Sequence, residues 1–259
     1  MLRAYDYYLF AAAALLGTIG AAVALLWALR RERWRPYVAS LAGISPQFMN
    51  LLGVLFALTL AFLANDTWSA HDRALAAVDG EADALRGIVV IAGHLPATEA
   101  REVRDAALAY ARAAIDEWPK LAIRQTDPAA AAAADRLLAV LSDPRVVAES
   151  AAATSQAQIG LALSVRNGRE ARLALSQTHV NPFKWAGMAF LGFLTMLAVA
   201  LVHVASPRPM VKAVALFALA SAPTVVIVLI HGNPFQPPGS VSSAPLAELI
   251  ESVGGAAGH

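Results

Sequence analysis

The chain has 259 residues, a net charge of +1, no cysteine and 58% hydrophobic residues, with a mean hydropathy of +0.55. That apolar share is too high for an ordinary soluble domain, and the apolar residues come in blocks, which is a membrane signature. The near-zero charge gives no footprint for nucleic acid, and the missing cysteines exclude disulfides, thiolate zinc sites and cysteine nucleophiles.

Four apolar stretches are predicted to cross a bilayer: residues 7–29, 47–64, 183–205 and 208–231. A hydrocarbon core roughly 30 Å thick takes about 20 apolar residues as a helix. Three stretches reach that length outright, and 47–64 reaches it with its flanks. The expected fold class is therefore an all-α membrane protein, with four transmembrane helices and a helical-bundle insert between the second and third. The expected domains are a first transmembrane pair (1–64), an extramembrane insert (65–180), a second pair (181–232) and an irregular tail (233–259).

The first run, Tyr7 to Leu29, exceeds a signal-peptide core and is followed by Arg30, Arg31, Arg33 and Arg35, so it reads as a retained span. Within it Gly17, Thr18 and Gly20 could form a close-packing small-residue face, or simply reflect ordinary membrane-helix composition. A polar N-cap followed by proline recurs at Ser45-Pro46, Asp127-Pro128, Asp143-Pro144, Asn181-Pro182 and Ser206-Pro207. At such a pair the cap oxygen accepts from an orphan backbone N–H, and proline has no N–H to leave unsatisfied.

The second span carries no stop signal at its far end. Trp68, His71, Leu75, Val78, Ala82, Leu85 and Val89 continue a heptad-like stripe, so residues 46–94 are predicted as one helix with a break near Gly80 or Gly87 allowed. The run Ile88-Val89-Val90-Ile91 is the sole hint of strand. Further helices are predicted over Thr98–Trp118, stopped by Pro119, then Asp127–Leu141 and Pro144–Thr178. In the tail, residues 245–253 form an amphipathic helix through Leu246, Leu249, Ile250 and Val253, with 254–259 frayed.

Four spans put the insert and both termini on one side. The short loops carry Arg30, Arg31, Arg33, Arg35, Arg208 and Lys212, which places the loops in the cytoplasm and the insert outside it.

No catalytic constellation, metal-ligand spacing or cofactor fingerprint is recognisable, so neither an enzyme nor a cofactor is expected. No Asp, Glu, Lys or Arg lies deep in a span, which argues against active transport but not against a passive pore. Phe56, Thr59 and Phe62 or Leu63 are candidate pore-lining residues on the second helix, with Asp66 at the mouth; lipid or helix packing would use the same face. Asp79, Glu81 and Asp83 read as a solvated helix. Arg166, Arg169 and Arg172 would lie along one side of the last insert helix, either attracting anions or lipid headgroups or forming salt bridges to the acidic helix. Asp116-Glu117-Trp118-Pro119-Lys120 would dock against the bundle or the membrane interface.

Several of these residues resemble a known family. Glu81-Ala82-Asp83-Ala84-Leu85 on the extended second helix, Leu95-Pro96, Asp116-Glu117-Trp118-Pro119, Arg169-x-x-Arg172-Leu173 and Asn233-Pro234-Phe235 with Gly239 occur in order. They resemble the motifs of the bestrophin-like domain family of bacterial membrane proteins. Glu81, Leu85, Glu117, Trp118, Pro119, Pro234 and Phe235 are the motif positions, with a structural role. The resemblance links the chain distantly to bestrophins, homo-oligomeric and mainly anion-conducting channels whose second helix lines the pore. It implies a cytoplasmic insert, whereas the arginine bias places the insert outside the cytoplasm, and the expectation rests on the arginines.

The expected function is a passive ion channel of the bacterial inner membrane, anion-selective by resemblance, assembled as a homo-oligomer around the second helix. Its partners would be the lipid bilayer, further copies of the chain and inorganic ions, with no nucleic acid. The rival is a non-conducting sensor or scaffold whose insert binds a partner or ligand. Because the first insert helix continues a span and the last runs nearly into one, movement of the insert would be felt inside the bilayer.

Overall fold

The computed structural model of the chain describes residues 6–34, 36, 40, 46–177 and 181–256. Ser45, Arg35 and the end of the tail lie outside the described residues. Nine α-helices account for nearly all the described chain: α1 (Asp6–Arg30), α2 (Pro46–Ala92), α3 (Ala97–Ala122), α4 (Pro128–Leu141), α5 (Pro144–Ala148), α6 (Ala152–Ser176), α7 (Pro182–Val202), α8 (Pro207–Ile230) and α9 (Ala244–Ala256). A 3-10 turn at Glu32–Trp34 follows α1. Among the described residues there is no strand.

Four helices are long and apolar enough to cross a membrane: α1, the first part of α2, α7 and α8. The second runs unbroken for 47 residues, roughly 70 Å at 1.5 Å per residue. It passes straight through Gly80, Gly87 and the β-branched run, because Ile88 is wholly buried in a helical core and tertiary packing overrides local propensity.

The chain divides into two compact units, residues 1–68 with 179–232 and residues 69–178 with 233–259. In the first, α8 packs against α1 and α7. Its cores join Phe56 and Leu63 to Met188 and Val225, and Leu25 to Met196 and Val214. A Cβ placed on Gly17 or Gly20 would meet nothing within 4 Å, so those glycines do not mark a close helix crossing.

In the second unit α3 is central, packing on α4, α6 and α9. The core joins Leu85 and Ile88 of α2, Val103 and Ala107 of α3, Leu137 of α4 and Val165 of α6. Leu246 and Leu249 of α9 are buried in the same cluster, with Ile250 and Val253 packed against it. The tail segment therefore belongs to this core, and α9 reaches Ala256 rather than fraying at 254.

Three local expectations are corrected. Pro119 does not stop its helix: α3 continues to Ala122. The Asn233 amide donates to the carbonyls of Leu121 and Ala122, satisfying groups a helix end leaves orphaned. The single helix expected over 144–178 is two, α5 and α6. The Ser150 hydroxyl donates to the Val146 carbonyl, and the Ser150 N–H closes a tight turn on Val147; such local bonding competes with helix continuation. Asp127, Asp143 and Asn181 cap α4, α5 and α7 through their side chains, but Ser206 makes no cap hydrogen bond to α8.

Candidate functional site

The two faces of α2 in the apolar unit have different fates. Phe56 is buried, its ring 5.6 Å from that of Phe217 and close enough to Gly192 that a Cβ there would lie 3.0 Å from it. Leu63, two turns on, is buried beside it. The Thr195 hydroxyl of α7 lies 3.1 Å from the Leu52 carbonyl of α2 and 2.8 Å from that of Leu191.

Phe62 points elsewhere. Six residues along a helix turn the side chain by about 120° from Phe56, and Phe62 is 70% exposed. The grouping of Phe56, Thr59 and Phe62 on one lining face is thus incorrect. Phe56 and Leu63 form the inner side, while Leu51, Leu55, Leu58 and Phe62 form an outer one, all exposed. The Thr59 hydroxyl is spent on the Leu55 carbonyl of its own helix.

The outer positions recur at alternating spacings of four and three. After Phe62 they continue as Asn65, Ser69, Asp72, Ala76, Asp79 and Asp83, and all but the half-buried Ser69 are exposed. Asp66 pairs with Lys184 of α7 at 2.8 Å, both side chains more than half exposed. From sequence Lys184 counts only among the basic residues at the membrane-proximal ends of the insert, with no site assigned to it; its place in the first turn of a membrane helix is the available signal.

The second unit holds a buried charge network. Arg172 forks onto Glu81, Nε donating to Oε2 at 2.6 Å and Nη2 to Oε1 at 2.9 Å. The Tyr110 hydroxyl donates to the same Oε1 at 2.5 Å. Arg169 donates to Glu117 through Nε at 3.2 Å and Nη2 at 2.6 Å. Glu117 also accepts from the Asp127 N–H, and Arg172 Nη1 lies 3.8 Å from its Oε2. The Arg172 guanidinium sits over the Trp118 ring, 4.9 Å from its centroid. Two arginines thus balance two glutamates, with Glu81, Glu117 and Arg172 wholly buried.

The local sequence builds this arrangement. Glu117 lies seven residues after Tyr110, so both fall on one side of α3, and Arg169 and Arg172 are three apart on α6. Gly168 lets α6 approach α2: a Cβ there would sit 3.0 Å from the Glu81 Cβ and 3.1 Å from the Ala77 carbonyl oxygen. Trp118 is fixed by the tail, its indole N–H donating to the Val241 carbonyl and its ring meeting Phe235 edge-on at 5.6 Å. Pro234 holds the Val241 N–H through its carbonyl at 2.8 Å.

Electrostatics follow from this packing. Burial, together with the Glu81 carboxylate, pushes the Tyr110 phenol far above its ordinary range, so it stays a neutral donor. Burial acts to lower Arg172, but Glu81 and the other acidic neighbours outweigh it and hold the guanidinium above its usual value. Hydrogen bonds from Lys120 and the Ala129 N–H keep the Asp127 carboxyl below its usual range.

Glu81 is therefore no solvated residue, unlike its neighbours Asp79 and Asp83, which are exposed. Nor do the three arginines share one surface: Arg166 pairs with Glu170 in solvent, while Arg169 and Arg172 turn inward and spend their charge on carboxylates. Leu85 is wholly buried in the adjoining core. Among the described residues no group of three or more His, Asp or Glu side chains is placed to hold a metal ion.

The model of the Bestrophin-like domain matches residues 16–246. Among solved structures, substituted forms of a bacterial bestrophin homologue from Klebsiella pneumoniae have a similar fold. One is 15% identical, with a TM-score of 0.66 over 95% of this chain and 98% of that one. Another is 14% identical, with a TM-score of 0.64 over 96% and 99%. A comparison with curated proteins finds no match. At these identities the structural likeness shows the fold alone, while the matched domain takes in the second helix, the ion-paired glutamates and arginines and the Pro234-Phe235 element. By that match, the chain belongs to the Bestrophin-like domain family.

Proposed function

We propose that the chain is the subunit of a passive ion channel, a homo-oligomer assembled around α2. The observation that carries this is the outer seam of α2, which contacts little within the protomer. In its apolar part the seam presents Leu51, Leu55, Leu58 and Phe62, a surface suited to a hydrophobic constriction. Family membership and the fold shared with bacterial bestrophin homologues support a channel.

Anion selectivity is what the family resemblance carries. The seam beyond Phe62 bears Asp72 and Asp79, with Asp83 paired to Arg86 at 2.8 Å, and Arg169 and Arg172 are neutralised by glutamates. Rings of acidic side chains favour cations, so we read the pore as cation-preferring. The arginine-rich short loops support an orientation with those loops cytoplasmic and the second unit outside. A reporter active only in the cytoplasm, fused after residue 259, should then stay silent.

The test is reversal-potential measurement on the full chain in liposomes under a sodium chloride gradient. Cation preference is expected, with Asp72→Asn and Asp79→Asn together weakening it and Phe62→Ala raising conductance. Absence of conductance at every voltage and salt tried would falsify the channel and leave the sensor or scaffold reading. A reversal potential on the chloride side would overturn the selectivity alone.

A further inference from the structure

We propose that the cavity among α1, α7 and α8 is a binding site for one acyl chain of a membrane lipid. The space measures about 470 Å³, within the size range of ligand pockets. It lies wholly in the apolar unit.

Its depth argues for the occupant. Along α1 the lining runs from Phe10 to Ala21, and along α7 from Trp185 to Met196. Eleven residues of helix rise roughly 16 Å, about half of the ~30 Å hydrocarbon core, which is the thickness of one leaflet. Consecutive spans alternate in direction, so Phe10 and Trp185, near the starts of α1 and α7, lie at the same membrane level. Leu229, near the end of α8, lies there too, and Phe217 lies deeper. The lining therefore runs from one end of the spans towards the bilayer centre, the depth that an acyl chain occupies.

Its chemistry argues the same way. No charged side chain lines it. The two hydroxyls in the wall are already used: Thr18 donates to the Ala14 carbonyl at 2.7 Å and Ser221 to the Phe217 carbonyl at 2.8 Å. An ion or polar solute would find no hydroxyl donor to replace its water, whereas a hydrocarbon chain needs none. Gly17 keeps the wall thin, since a Cβ there would meet no atom within 4 Å.

The methionines give a direct test. Met188 and Met196 line the space and are each 3% exposed, while Met210 is as buried and does not line it. The full chain, made with photo-methionine, is reconstituted into phosphatidylethanolamine and phosphatidylglycerol vesicles and irradiated. Lipid adducts are expected at positions 188 and 196 and not at 210. Gly17→Leu, which fills the space, should abolish them; Gly20→Leu, on the same helix but outside the lining, should not. The proposal is overturned if 188 and 196 carry no lipid, if 210 carries as much, or if Gly17→Leu leaves the adducts unchanged. Covalent joining of two copies of the chain through 188 or 196 would also overturn it, by assigning the space to a subunit contact. None of these readouts depends on ion flux.

Discussion

Replacing Arg172 by methionine should be among the most damaging single changes in the second unit. The guanidinium is wholly buried and makes both charge-assisted bonds to Glu81. Its removal leaves a carboxylate without solvent, held only by Tyr110. Breaking a buried ion pair on one side costs about 3–5 kcal/mol, against a total stability of about 5–15 kcal/mol for a domain. At about 2–4 °C per kcal/mol for a chain of this size, the melting midpoint in detergent, followed by loss of helicity, should fall by about 6–20 °C. Glu81→Leu should cost a similar amount, because it strands the arginine. The double variant should cost much less than the sum, since an apolar pair of similar volume replaces the ion pair. Adding Tyr110→Phe removes the last orphaned hydroxyl, worth about 1–3 kcal/mol, and should bring further recovery. If the two single losses add in the double variant to within about 0.5 kcal/mol, the residues are uncoupled and the described pairing is wrong.

Other changes probe the same unit. Gly168→Ala should lose about 1–3 kcal/mol through overpacking against Glu81 and Ala77. Gly160→Ala, on the same helix with nothing within 4 Å of its Cβ, should gain about 0.5–1 kcal/mol from lower backbone entropy; equal effects in chemical unfolding would contradict the close approach of α6 to α2. Because the folded Tyr110 pKa is raised, its contribution is complete below the unfolded value of about 10. Above that pH the unfolded phenol ionises first, so stability should fall by about 1.4 kcal/mol per pH unit. Tyr110→Phe should remove that slope, and an unchanged alkaline profile would count against a buried phenol. Leu249→Ala should cost about 2–5 kcal/mol as a cavity in the core. Limited proteolysis should then cut ahead of α9; a resistant tail would show that its packing is dispensable.

Much of the helical layout was legible because its signals are local. Proline behind a capping residue marks the starts of α4, α5 and α7, and the uninterrupted stripe after Ala64 foretold α2 as one helix. The misses have non-local causes. Pro119 reads as a stop until Asn233, more than a hundred residues later, caps the extra turn. The solvated reading of Glu81 failed because its partners come from α3 and α6, and nothing beside it in sequence announces them. Phe56, Thr59 and Phe62 are expected on one helical face at steps of three, although two such steps already turn Phe62 about 120° from Phe56.

The sequence alone determined that the protein is helical, that four segments are apolar and long enough for a bilayer, and that its motifs follow the order of the Bestrophin-like domain family. Hydrophobic periodicity and capping act within a turn or two, so one chain read in order suffices for them. Only the tertiary structure decided which side of α2 is packed and which is bare, that Glu81 and Glu117 are buried with Arg172 and Arg169, and that the tail closes over Trp118. Those outcomes rest on partners distant in the chain. Whether a carboxylate is solvated or sealed depends on whether such a partner arrives, since burying it unpaired would cost more than the fold can supply.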